Sequence, residues 1–260
     1  MCLLAFAYQQ HPDFPLLLAA NRDEFLARPT AAMHYWQAHP QLLAGRDEQA
    51  GGTWMGIMAR GPNTGRFAAL TNVRQLPAPE KNGPSRGQVV LRALLERAPV
   101  AKVLTDIKQE ADAYHGFNLL VGDANGLWYM STHTPDVRQL SPGIYALSNG
   151  TLDIAWPKTQ SAAQRMREHL PDAGDVRDLA QLLSSRQKAE DDQLPKTGLS
   201  LPWERALSAQ CIDLPEYATR AQTGLLVRAD GTADVHEQTL VHEPGSAPLP
   251  GKTFRLHGFW

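Results

Sequence analysis

The cysteine at position 2 is the residue with the greatest potential for covalent chemistry. It directly follows Met1, and a small second residue favours removal of the initiator methionine in the cytosol. Removal would give Cys2 a free α-amino group, whose ordinary pKa of about 7.7–8 allows it to act as a general base near neutral pH. Thiol and base would then belong to one residue. The alternative is a small buried side chain at a strand start, because free cysteine is among the most buried residue types.

A β-hairpin is predicted to follow directly from this cysteine. The apolar runs Cys2–Tyr8 and Pro15–Asn21 flank a polar turn, which is the pattern of two paired strands. If the ends of the two runs next to the turn pair with each other, Cys2 lies opposite Asn21. A slip of one residue would reverse the faces of the strands.

Four polar residues, Asn21-Arg22-Asp23-Glu24, come together where the second run ends. An arginine beside a thiol favours the thiolate, and a carboxylate can hold and orient an ammonium group. The cluster therefore fits the activation of Cys2. A solvated strand end is the alternative, since clusters of charges are usually exposed.

The rest of the chain alternates between predicted hairpins and predicted helices. Paired apolar runs predict hairpins at 53–60 with 66–73, 117–123 with 127–132 and 224–228 with 234–239, and 143–149 is expected to add a strand to the second of these. Helical periodicity predicts helices from Ser85, where Gln88 completes a capping box, from Val100, and over Gln160–Leu170 and Asp175–Arg186. The polar segment 188–202 contains prolines, which predicts a surface loop.

Composition limits the class of protein. The 260 residues carry a formal net charge of −2, which gives no electrostatic footprint for nucleic acid. Apolar runs are too short for a membrane-spanning helix, and the N-terminus lacks the basic segment of a secretory signal, so we expect a cytoplasmic protein. The two cysteines form no disulfide framework, and the histidines lack zinc-site spacing, so we expect no metal and no cofactor.

Hairpins grouped with helices predict an α+β fold with antiparallel sheets. No shift in composition marks a linker, so we expect a single domain over residues 1–260.

The Asn21–Glu24 tetrapeptide is also a family signature: the sequence resembles the NRDE-motif proteins, the transport and Golgi organisation family. Similar segments follow in order along most of the chain. They are Gly51–Trp54 with Gly56, Leu70–Arg74, Ser85–Gly87, Gly116–Leu120 with Gly122–Asp123, Leu147–Gly150, Trp156–Lys158 and Tyr217–Arg220.

That family in turn resembles the N-terminal nucleophile hydrolases, and most of all the cholylglycine hydrolases and penicillin V acylases. The resemblance implies a four-layer αββα sandwich of two antiparallel sheets between helical layers. It implies Cys2 as the nucleophile, Arg22 as its activating cation and Asp23 as the carboxylate that holds the amine. In those relatives the arginine and aspartate are two residues apart, whereas here they are adjacent, which leaves open whether Asp23 or Glu24 faces the site.

Further site residues are implied by the same resemblance. Asn72 and Asn149 resemble the asparagines that supply oxyanion-hole and substrate contacts in the acylases, although a turn role at a strand end is the alternative, about equally favoured for Asn149. Contacts to the substrate are expected from Asn21, Glu24, Trp54 and Arg220.

Two functional hypotheses follow. The first is a cysteine hydrolase that cleaves an amide or thioester of a small acylated molecule. The second is a non-catalytic binding or transfer protein for haem or for acyl-CoA and lipid ligands on the same fold. A protein–protein scaffold is a third possibility, for which the sequence offers no exposed motif. The oligomeric state is left open.

Overall fold

A computed structural model describes residues 2–74, 83–152, 154–240 and 249–260. The strands of this part of the chain are β1 (Cys2–Tyr8), β2 (Leu16–Phe25), β3 (Thr30–Tyr35), β4 (Leu42–Asp47), β5 (Met55–Met58), β6 (Phe67–Asn72), β7 (Phe117–Asp123), β8 (Gly126–Ser131), β9 (Arg138–Gln139), β10 (Gly143–Leu147), β11 (Tyr217–Val227), β12 (Thr232–Thr239) and β13 (Lys252–His257). The α-helices are α1 (Arg86–Leu95), α2 (Val100–Gln109), α3 (Pro157–His169), α4 (Val176–Gln181) and α5 (Leu201–Leu207).

The strands form two antiparallel sheets. The first sheet has the order β10-β1-β2-β11-β12-β13 and the second has the order β3-β4-β5-β6-β7-β8-β9. Alternate side chains of each strand point to opposite faces. The interior strands β1, β2, β6 and β7 are buried along most of their length, as expected for sheets that are covered on both sides.

Three apolar clusters define the layers. The inner faces of the two sheets meet in one core, which includes Leu4, Leu18, Ile57, Phe67 and Tyr129. The outer face of the first sheet packs against α3 and α4 through Leu3, Leu17, Met166 and Leu179. The outer face of the second packs against α1 and α2 through Leu70, Leu119, Leu94 and Leu104. This helix–sheet–sheet–helix order confirms the predicted α+β sandwich.

The first hairpin forms as predicted, but its predicted register was wrong by one residue. Cys2 pairs with Arg22, not with Asn21, and Tyr8 pairs with Leu16. The reason lies in the turn: Gln9 adopts a positive φ of 50°, and its N–H donates to the carbonyl of Pro15 at 2.8 Å. Cys2 and Arg22 therefore project from the same face of the sheet.

Two other expectations need correction. The strand predicted at 143–149 is β10, but it pairs with β1 in the first sheet and does not extend the β7–β8 hairpin. The segment 188–202, expected to be a loop, contains the start of α5. The strands β3, β4, β9 and β13 were not predicted.

The start of α1 forms half of the predicted capping box. The Ser85 hydroxyl accepts from the N–H of Gly87 at 3.3 Å, as an N-cap does. The Gln88 side chain, however, donates to the carbonyl of Ala50 at 3.2 Å, which ties the loop before β5 to the helix. Within the described ranges, no helix has the length and apolar character needed to cross a membrane.

Candidate functional site

A cavity of about 590 Å³ opens at the end of the sandwich where β1 begins and β2 ends. Its wall combines charged groups with aliphatic and aromatic side chains. It is lined by Cys2, Arg22, Asp23, Glu24, Phe25, Arg28, Asp47, Thr53, Trp54, Leu70, Asn72, Val73, Arg74, Ser85, Arg86, Gly87, Leu199, Trp203, Leu207 and Tyr217. Volumes of this size accommodate small organic ligands.

Cys2 and Arg22 form the centre of this site. They are directly opposite residues of an antiparallel pair, and the Cβ atoms of such residues are about 4.5–5.5 Å apart. Arg22 is only 5% exposed, and its guanidinium lies over the Trp54 ring at 4.1 Å from the centroid. Its Nη1 has no hydrogen-bond partner among the described residues. The arginine is thus a buried cation held by an aromatic ring, with donor capacity left over.

Trp54 is held in place by close backbone packing. Gly45 on β4 lies against the Trp54 ring so tightly that a Cβ there would collide with it. Beside it, Gly52 packs on Gly87 in the first turn of α1, and the N–H of Thr53 donates to the carbonyl of Gly87 at 3.3 Å. Two segments singled out in the sequence, 51–54 and 85–87, therefore meet at the cavity wall.

Burial raises the pKa of the Cys2 thiol, and the nearby Arg22 acts in the opposite direction. Desolvation disfavours the thiolate. A thiol in this environment needs a base that removes its proton when it reacts.

Asp23 lies on the opposite face of β2 from Arg22. Its Oδ1 accepts from the Thr219 hydroxyl at 2.6 Å, and its backbone carbonyl accepts from the Tyr217 hydroxyl at 3.0 Å. Burial raises the pKa of its carboxyl, against which Lys158 is the strongest opposing charge. Because Cys2 pairs with Arg22 in an antiparallel register, the backbone nitrogen of Cys2 lies at the end of β1 nearest to Asp23.

Charged pairs that were not anticipated from the sequence surround the cavity. Arg28 donates to Asp47 at 2.7 Å. Arg74 pairs with Glu204 of α5 at 2.8 Å, and both side chains are 5% exposed. Arg86 also lines the cavity and donates to the carbonyl of Gly116 at 3.2 Å. No local pattern in the sequence links these residues, since each pair joins distant segments.

Six of the nine predicted site residues line the cavity: Cys2, Arg22, Asp23, Glu24, Trp54 and Asn72. Asp23 and Glu24 both line the cavity, so the adjacency of Arg22 and Asp23 excludes neither acidic residue.

The other three predicted site residues lie outside the cavity wall. The Asn21 side chain points to the helical layer and donates to the carbonyls of Leu183 and Gln210 at 2.9 and 2.8 Å. The Asn149 amide donates to the carbonyl of Asn72 at 2.9 Å. Arg220, at a bulge in β11, donates to the carbonyls of Phe25 and Arg28. Their side chains thus support the backbone around the site.

Comparison with known proteins agrees with the motifs at this cavity. The family model for Transport and Golgi organisation 2 matches residues 1–242. The Transport and Golgi organization protein 2 homolog of Bos taurus is 32% identical over 98% of this chain and 99% of its own length. The homolog of Homo sapiens is 32% identical over 93% and 94%, and Transport and Golgi organization protein 2 of Drosophila melanogaster is 25% identical over 92% of each chain. The chain belongs to the Transport and Golgi organisation 2 family.

Proposed function

We propose that the protein is a cysteine hydrolase that cleaves an amide or thioester of a small acylated molecule, with Cys2 as the nucleophile after removal of Met1. One observation carries the proposal: Cys2 lines a cavity of about 590 Å³ directly opposite a buried arginine. A nucleophile, a cation and space for a ligand are thereby combined at one end of the sandwich.

In this mechanism the α-amine of Cys2 takes the thiol proton as sulfur attacks the substrate carbonyl. A carbon–sulfur bond forms, and the carbonyl oxygen becomes an oxyanion. Arg22 is the favoured donor to that oxyanion, because its Nη1 has no other hydrogen-bond partner among the described residues. The ammonium then returns its proton to the leaving amine or thiolate as the scissile bond breaks. Water, deprotonated by the same amine, then attacks the acyl carbon. As the new carbon–oxygen bond forms, the carbon–sulfur bond breaks, the acid leaves and the ammonium returns its proton to the Cys2 thiolate.

Asn149 has a different role in this account from the one expected from the sequence. Its amide already donates to the carbonyl of Asn72, so it supports the Asn72 backbone instead of binding the oxyanion. Asn72 lines the cavity and is the asparagine we assign to substrate contact.

The matched test uses the two cysteines of the chain, both buried and both free. A panel of short- and long-chain acyl thioesters and N-acyl amides is offered to the wild-type protein, Cys2→Ala and Cys211→Ala. We expect Cys2→Ala to lower kcat/KM by at least about 10³-fold and to abolish an acyl adduct on the N-terminal peptide. Cys211→Ala should retain both. Hydrolysis that persists in Cys2→Ala would refute the proposal.

A binding or transfer protein for haem or acyl-CoA is the second candidate. It is favoured by the raised pKa of the Cys2 thiol, which burial keeps protonated, in a cavity large enough for a sizeable ligand. Titration of Cys2→Ala with haem and with acyl-CoA tests it. Stoichiometric binding without turnover would support this candidate, and no affinity for either ligand would eliminate it.

A further inference from the structure

Lys158 is an unusual residue because it is a lysine with only 4% of its surface exposed. Lysine is almost never fully buried unless it is paired. It lies in the first turn of α3 and lines a small space of about 10 Å³, together with Arg74 and Glu204. Arg74 also lines the main cavity, so Lys158 lies directly behind the wall of the site.

A hydrogen-bonded connection fixes the position of this helix turn over β2. Ser161, one turn after Lys158, accepts from the Gln210 side chain at 3.1 Å, and the Gln210 carbonyl accepts from Asn21 at 2.8 Å. Residues three apart share a helix face, and residues two apart share a strand face. Lys158 therefore lies on the helix side of β2, which is also the side of Asp23.

The charges around Lys158 are a mixed set. Asp23, Arg74, Cys2 and Glu204 are the titratable and charged groups that act on it. Burial lowers the pKa of Lys158 to about 8, while Asp23 is the strongest influence in the opposite direction. Lys158 and an N-terminal α-amine would thus change charge over a similar pH range.

We infer that Lys158 is a positioning residue that shares the Asp23 carboxylate with the α-amine of Cys2. This inference rests on the proposed role of Cys2 as nucleophile. Without the lysine, the Asp23 carboxylate would act only on the α-ammonium of Cys2 and would raise the pKa of that amine. The amine would then be protonated when it is needed as the base. A neighbouring cation also favours the Cys2 thiolate. Lys158 therefore sets the pH at which thiol and amine exchange a proton.

The test is the pH dependence of Cys2 alkylation by iodoacetamide, a reaction that needs no turnover. It compares Lys158→Met and Lys158→Arg with the parent, all in a Cys211→Ala background that leaves one thiol. We expect Lys158→Met to raise the pH midpoint of alkylation by about one unit. The Cys2 thiolate loses a stabilising cation, and the α-ammonium loses its competitor for the Asp23 carboxylate, so the pKa values of both groups should rise. Lys158→Arg keeps the charge and should not raise the midpoint. Lys188→Met, at an exposed lysine, is the control and should leave the curve unchanged.

Superimposed curves for Lys158→Met and the parent would overturn the inference. If Lys158→Met fails to fold, Lys158→Arg decides: a raised midpoint there would show that packing and not charge matters, and would also overturn it. If the parent protein hydrolyses none of the acyl substrates but Lys158→Met still raises the alkylation midpoint, the proposed function alone is refuted. Hydrolysis with unchanged curves in Lys158→Met would refute the role of Lys158 alone.

Discussion

The two ends of the space between the sheets are built in opposite ways, although the same hairpin contributes to both. At one end the aromatic side chains fill the space: Trp260 stacks on Phe67 at 6.1 Å and meets Tyr8 edge-on at 6.2 Å. At the other end Cys2 and Arg22 face a cavity of about 590 Å³. We name these the filled end and the open end.

The difference shows how one pair of strands supports both folding and a candidate site. Along β1 and β2 the inward-facing residues change from Tyr8 and Leu16 to Cys2 and Arg22. Aromatic and aliphatic side chains bury apolar surface, which stabilises the fold. A buried arginine with an unpartnered nitrogen does not stabilise the fold in this way. Substitutions at the filled end should therefore alter stability, and those at the open end should alter activity.

The largest effect on stability is expected from Phe67→Ala at the filled end. Phe67 is fully buried, and removing its ring should lower the free energy of unfolding by about 3–5 kcal/mol through lost burial and a new void. Urea denaturation measures this change. Activity per folded molecule should be unaffected, and a loss of less than about 1 kcal/mol would contradict the assignment of this end as core.

A smaller effect, on activity and not on stability, is expected from Arg22→Met at the open end. Losing the donor and the cation should lower kcat/KM by about 10²-fold. Stability should change by no more than about 1 kcal/mol, since an apolar side chain of similar length replaces a buried charge. Steady-state kinetics and urea denaturation of one preparation give both values. If Arg22→Met were severely destabilised but its folded fraction were fully active, the open end would serve stability and not activity, contrary to this comparison.

The smallest effect is expected from Asp234→Asn on β12, near the filled end. A hydrogen bond from Arg255 holds the pKa of Asp234 below its usual value, with burial opposing and Arg228 assisting. A lowered pKa in the folded state stabilises the fold above the unfolded-state pKa of about 3.9, and this stabilisation is lost as the pH falls through the folded-state value. Because Arg255 is largely exposed, we expect a cost of about 1 kcal/mol at neutral pH and less at pH 3, measured by urea denaturation. A cost that grows on acidification would contradict this sign.

Local sequence patterns predicted most of the hairpins and helices and the α+β class of this fold, whereas the four-layer order was implied by the family resemblance. Period-two and helical spacing are local signals, and Cys2–Tyr8 and Val100–Gln109 show them plainly. The register of the first hairpin depended on the conformation of one turn residue, Gln9. The assignment of β10 to the first sheet required a contact between distant segments.

The site divides in the same way. Cys2, Arg22 and Asp23 were predicted to come together because they lie at the open ends of the two strands of one hairpin, and all three line the cavity. Arg74 and Glu204 are separated by 130 residues, and the packing of α3 places Lys158 on the Asp23 side of β2. A single sequence carries no signal for such partners, because their pairing depends on how the layers stack.

Whether Cys2 can act with its own α-amine is decided by the intact mass of the protein purified from its native host. We expect a mass lower than that of the full 260-residue chain by one methionine. A full-length mass would contradict it, because the nitrogen of Cys2 would then be part of a peptide bond and unable to take the thiol proton.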